Sequence, residues 1–145
     1  ALRAELDRLR ALHGRVVLRD AHPICSVLPR FFEGRLSDLN LGTADGRACA
    51  PALQAAVEAQ MAAQPDYTHV SNGRFKGGYI TRHYGRPADR VHAIQMELAC
   101  RSYLREPVGP VSEPNWPVAY DPIAAVPAQR LLRGVLDACL SFARG

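Results

Sequence analysis

Segments of helical period alternate along this chain with short apolar segments of strand character, and that alternation constrains its fold more than any other feature. Residues 1–12 (ALRAELDRLRAL) carry Leu2, Leu6, Leu9 and Leu12 at helical spacing with charges between them, and His13-Gly14 ends the run. Residues 15–20 (RVVLRD) follow as a strand that opens into a polar loop over 21–38, with Pro23, Pro29 and the apolar pair Phe31-Phe32. A helix feeding a strand that empties into a loop is the unit of an α/β sheet, whose strand C-terminal ends hold ligands.

The pattern repeats downstream. Residues 51–63 (PALQAAVEAQMAA) predict an amphipathic helix with Pro51 in its first turn, where a missing N–H costs nothing. Residues 67–71 (YTHVS) predict a strand, and 72–86 (NGRFKGGYITRHYGR) a loop shaped around a ligand by its four glycines. Residues 91–98 (VHAIQMEL) alternate as a strand that places Val91, Ala93, Gln95 and Glu97 on one face. Residues 106–126, rich in proline and holding the lone Trp116, predict an irregular excursion before a closing amphipathic helix over 127–143. No repeat, low-complexity stretch or linker divides the chain, so one domain is expected. It opens in mid-helix without methionine or N-cap residue, as a fragment or processed product would.

Composition removes several function classes. The net charge of +4 comes from arginine, with Lys76 the single lysine, and no basic stripe interleaved with aromatics marks a nucleic-acid surface. Cys25, Cys49, Cys100 and Cys139 show no C-x-x-C spacing, which disfavours a zinc ribbon, a redox pair or a disulfide framework and suits reduced thiols in the cytoplasm. No apolar run reaches the length of a membrane span.

Three features carry chemistry. Asp20-Ala21-His22 at a strand end can present an imidazole to a metal, with Asp20 on the same side of an extended chain to orient the ring; the ordinary reading is a hydrogen-bonded pair. Glu97 ends an apolar strand, where partial burial would tune it as a general base; the ordinary reading is a salt bridge to Arg101. The 72–86 loop sets Arg74, Lys76, Arg82 and Arg86 among glycines and could bind an anion, although it lacks the P-loop pattern; the ordinary reading is a solvated loop. Cys25, close to His22 in sequence, is a nucleophile candidate without any sign of activation. His13, His69 and His92 read as surface or structural, and His83 differs only in lying within the glycine-rich loop.

Taken together, VVLRDAHPICSVLPRFFEGRLSDLNLGTADGRACAPAL and THVSNGRFKGGYITRHYGRPADRVHAIQMELACRSYL resemble the N-formylglutamate amidohydrolase (deformylase) family of histidine degradation, from about residue 15 to 104. The resemblance implies a three-layer α/β sandwich with a central mixed sheet, similar to the zinc carboxypeptidases and here incomplete at its N-terminal side. It implies zinc-dependent cleavage of N-formyl-L-glutamate to formate and L-glutamate by a cytoplasmic enzyme with no nucleic-acid or membrane partner. The family's D-x-H histidine matches His22, a zinc ligand, and the glutamate of its Q-x-E strand matches Glu97, the base. A small dicarboxylate substrate calls for cations, and Arg82, Arg74, Asn72, Lys76 and Arg30 are the residues assigned to it.

The sequence also departs from the family. Pro23-Ile24-Cys25-Ser26 stands where the family has Ser-Ile-Arg-Ser, and 106–115 is longer. The family's other two zinc ligands precede the region matching Ala1, so residues 1–145, as the C-terminal part of one amidohydrolase domain, are expected to hold an incomplete zinc site and to be inactive alone. Alternatives are a related zinc amidohydrolase acting on another acylated amino acid, and a non-catalytic anion-binding domain.

Overall fold

The computed structural model describes residues 1–107 and 111–145. Its centre is a four-stranded mixed sheet of β1 (Val16–Ile24), β2 (Leu39–Gly42), β3 (His69–Ser71) and β4 (Val91–Ala99), in the order β1-β4-β2-β3. β1 and β4 are parallel, β2 and β3 are parallel, and β2 runs antiparallel to β4. The helices are α1 (Leu2–His13), α2 (Pro51–Ala62), α3 (Tyr79–Tyr84) and α4 (Pro122–Arg144). None is long and apolar enough to cross a membrane among the described residues.

Alternation of side chains along the strands makes this a layered α/β structure. On one face Val16 and Val91 pack against Leu6 and Leu9 of α1 and Tyr84 of α3. On the other, Leu39, Leu41, Ile94, Met96 and Leu98 meet Leu53, Val57 and Met61 of α2 and Leu131 and Val135 of α4. β4, flanked by strands on both sides and covered on both faces, is buried along its whole length. Its period-2 pattern therefore separates two buried faces rather than core from solvent.

Several expected boundaries shift. β1 continues through Pro23 to Ile24, because it is the edge strand and the N–H that Pro23 lacks is not required by any ladder. β2 lies in a stretch without a strand assignment from sequence, and the third strand is shorter than 67–71. The 72–86 segment is not all loop, since α3 occupies six of its residues. α4 starts at Pro122 rather than 127, with the Asp121 side chain accepting hydrogen bonds from the N–H groups of Ile123 and Ala124. Pro127 then sits inside the helix, which Leu131 and Val135 anchor in the core. Of the expected 106–126 excursion, residues 108–110 lie outside the described residues.

Candidate active site

Parallel pairing of β1 with β4 sets Asp20 opposite Gln95 and His22 opposite Glu97. Antiparallel pairing with β2 continues the rows, Gly42 opposite Gln95 and Asn40 opposite Glu97. Side chains in register share a face. This face is apolar through Val16, Leu18, Val91 and Ala93, then turns polar at Asp20, His22, Gln95 and Glu97, toward the C-terminal ends of β1 and β4. Two residues far apart in sequence, His22 and Glu97, are thus neighbours by strand register. His22 lies within β1 and not at its end, two residues short of Ile24.

Each polar side chain here has a defined partner. His22 Nε2 meets Asp20 Oδ1 at 2.8 Å, which leaves Nδ1 as the ring nitrogen that Asp20 does not engage; the imidazole side chain is 46% exposed and the aspartate 11%. Glu97, 7% exposed, accepts a hydrogen bond at Oε2 from Gln95 Nε2 at 3.1 Å. Burial raises its carboxyl above the ordinary carboxylate range; the nearby His22 and the Gln95 hydrogen bond oppose that rise and Asp20 adds to it. Arg101, the alternative partner for Glu97, instead holds Asp38 through Nε–Oδ1 at 2.9 Å. A buried carboxyl whose pKa burial raises, with no cation bonded to it among the described residues, has the properties of a proton acceptor.

The cationic candidates lie on the loop after β1, on the loop after β3 and, for Arg82, in α3. Arg74 is exposed. Lys76 pairs with Asp45 at 3.1 Å, and Arg82 donates to the carbonyl of Gly77. Arg30 lies over the Phe31 ring on the loop after β1, and Phe32 of that loop meets Phe75 edge-on at 6.3 Å, which brings the Arg30 and Arg74 segments side by side. Asn72 is engaged structurally: at a φ of 52° its Oδ1 accepts the Thr43 N–H at 2.8 Å and its Nδ2 donates to Thr43 Oγ1 at 2.8 Å. Arg86 pairs with Asp7 and Asp89. His83 stacks on Tyr79, and His92 is buried. The Cys25 thiol is pushed up by burial and by Glu106, the opposite of what an activated nucleophile needs.

Two residues that matter here were given no role from the sequence. Strand alternation does place Gln95 on the face of Glu97, and the structure adds its hydrogen bond to that carboxylate. The role of Gly42 has no local signal, because it depends on a segment more than thirty residues away: a Cβ there would lie 2.4 Å from the Gly77 nitrogen. A groove of about 580 Å³ runs along the free edge of β1 between Leu9 of α1 and Leu136 and Leu140 of α4, and touches neither His22 nor Glu97.

A catalytic zinc takes three protein ligands. Among the described residues no three His, Cys, Asp or Glu side chains converge to hold a metal ion. His22 with Asp20 bonded to its ring has the form of one ligand and an orienting carboxylate, and no further side chains among the described residues converge with it to complete such a site.

Comparison with known proteins identifies a family and a fold. A family model described as N-formylglutamate amidohydrolase matches residues 1–104. The N-formylglutamate deformylase of Pseudomonas aeruginosa is 47% identical over 140 residues, covering 97% of this chain and 50% of that protein. The enzyme of the same name from Pseudomonas putida is 45% identical over 141 residues, again covering 97% of this chain and 50% of the relative. The chain therefore spans about half the length of the curated relatives it matches. A crystal structure of N-formylglutamate amidohydrolase from Ralstonia eutropha JMP134 superposes with a TM-score of 0.71 at 24% identity, over 94% of this chain and 45% of that one, a likeness of fold.

Proposed function

The chain belongs to the N-formylglutamate amidohydrolase family, and from that premise we propose that the complete enzyme hydrolyses N-formyl-L-glutamate to formate and L-glutamate, with Glu97 as general base and His22 as one ligand of a catalytic zinc. Residues 1–145 form the C-terminal part of a single amidohydrolase domain of zinc-carboxypeptidase type, working in the cytoplasm. The observation that carries this reading is the register of β1 with β4, which sets an exposed, carboxylate-backed imidazole beside a buried carboxyl of raised pKa.

Water adds to the formyl carbon and the C–N bond breaks. Glu97 takes the proton from the attacking water and delivers it to the departing amine nitrogen, for which a carboxyl whose pKa burial raises is suited. Arg74, Arg82, Lys76 and Arg30 hold the two carboxylates of the substrate; Asn72 contributes by fixing the backbone of their segment through Thr43. A bound zinc supplies Lewis acidity at such a centre. Three protein ligands are needed and His22 is the one contributed among the described residues, so residues 1–145 alone are inactive.

The test is formate release by the complete enzyme from N-formyl-L-glutamate, N-formyl-L-aspartate and N-formyl-L-leucine, with metal content measured alongside. Release from the glutamate derivative ahead of both others, and loss of zinc in His22→Ala, are expected. Equal rates on the leucine derivative would refute the dicarboxylate assignment, and full zinc occupancy in His22→Ala would refute the ligand.

A further inference from the structure

Gln95 is 6% exposed and both ends of its amide are used. Oε1 accepts the Gly78 N–H at 2.6 Å, and Nε2 donates to Glu97 Oε2 at 3.1 Å. The two partners fix the orientation of the amide without ambiguity: a peptide N–H can only donate, and an ionised carboxylate can only accept. Turning the amide over would face two donors at Gly78 and two acceptors at Glu97.

The Gly78 end is itself held by backbone packing. Gly42, the cross-strand partner of Gln95, has no Cβ, and the 76–78 backbone lies directly over it, with the Gly77 nitrogen 2.4 Å and the Lys76 carbonyl carbon 2.7 Å from where a Cβ would be. The Ala44 N–H donates to the Lys76 carbonyl at 2.6 Å and keeps the segment down. Gly77, at a φ of 109°, makes the turn that presents the next N–H to Gln95.

We propose that Gln95 is the positioning residue for the base, coupling the Glu97 carboxylate to the backbone of the segment that carries Arg74, Lys76 and Arg82. This rests on the reading of Glu97 as the base. With Oε2 committed to the amide, Glu97 meets the reacting water through Oε1. Other side chains of similar length fail at one end. Glutamate accepts from Gly78 but sets a second carboxylate against Glu97. Methionine fills the volume and leaves the Gly78 N–H unbonded.

The experiment is a double-mutant cycle in the complete enzyme on N-formyl-L-glutamate, using Gln95→Met, Glu97→Gln and the pair. Gln95→Met lowers kcat by about ten- to a hundredfold, the worth of one hydrogen bond to a charged group, and leaves KM within about threefold. In the Glu97→Gln background the same change costs less than about twofold, because the group through which Gln95 acts is gone. A structural role would multiply the two losses, and a multiplicative result with Glu97→Gln impaired overturns this proposal alone. Near-normal turnover in Glu97→Gln removes the base assignment and the proposal with it. Gln95→Glu keeps the Gly78 hydrogen bond but sets a second carboxyl beside Glu97; its kcat falls, and wild-type kcat in that variant also overturns the proposal.

Discussion

Gly42→Ala adds one methyl group at the place where β2 passes beneath the glycine-rich segment. The new Cβ would stand 2.4 Å from the Gly77 nitrogen, 2.7 Å from the Lys76 carbonyl carbon and 2.9 Å from the Gly77 Cα. All three are backbone atoms, so no side-chain rotation relieves the contact. Ordinary van der Waals separation requires the segment to withdraw by roughly 1 Å. That shift stretches the Ala44–Lys76 and Gly78–Gln95 hydrogen bonds, each 2.6 Å long, beyond useful length. Overpacking of this kind costs about 1–3 kcal/mol, and a buried polar group left unbonded about 1–3 kcal/mol more. With partial relaxation the expected loss is about 2–4 kcal/mol, read as a lower urea midpoint at unchanged m-value in the complete enzyme. Turnover falls with it, since the anchor of Gln95 has moved. Stability within about 0.5 kcal/mol of the parent, the range of a harmless surface change, would refute the close-approach reasoning.

Two further outcomes follow from the same coordinates. Arg101→Ala strands the Asp38 carboxylate, whose side chain is 10% exposed and otherwise bonded only to Thr68, so destabilisation of about 3–5 kcal/mol is expected by denaturant titration; a loss under about 1 kcal/mol would show that water replaces the guanidinium. Burial holds the His92 pKa below its ordinary 6.5, and its Nδ1 accepts the Ala50 N–H at the start of α2. The neutral ring is the folded form, so its contribution is present above pH 6.5 and is lost as pH falls through the depressed folded value. Thermal midpoints from pH 8 to 5 should fall more steeply in the parent than in His92→Leu, and parallel curves would contradict this.

How much of this was legible beforehand depends on whether the signal was local. α1, α2 and most of β4 announce themselves by periodicity over eight residues or more, and the α/β class follows from them. β2 does not, because LNLG alternates over only four residues, too few for the period to stand out. α3 is too short for a helical period to emerge from a glycine-rich context. The start of α4 was in fact written in Asp121-Pro122, a cap followed by a first-turn proline, and the later Pro127 masks it. In the site, His22 and Glu97 are strand residues whose meeting is a matter of register, and register between strands separated by α2, α3 and two other strands is not encoded locally. Spacing alone therefore left each of them open between a functional and a structural role, and the family motifs supplied what periodicity lacked. The work of Asn72 was hidden for a similar reason: its partner Thr43 is 29 positions away.

The account stands most directly on Glu97. In the complete, zinc-loaded enzyme, kcat for N-formyl-L-glutamate should fall about 10²- to 10⁴-fold in Glu97→Gln, with zinc content and circular dichroism unchanged. Turnover within a few-fold of the parent in a folded, metal-loaded Glu97→Gln would contradict it.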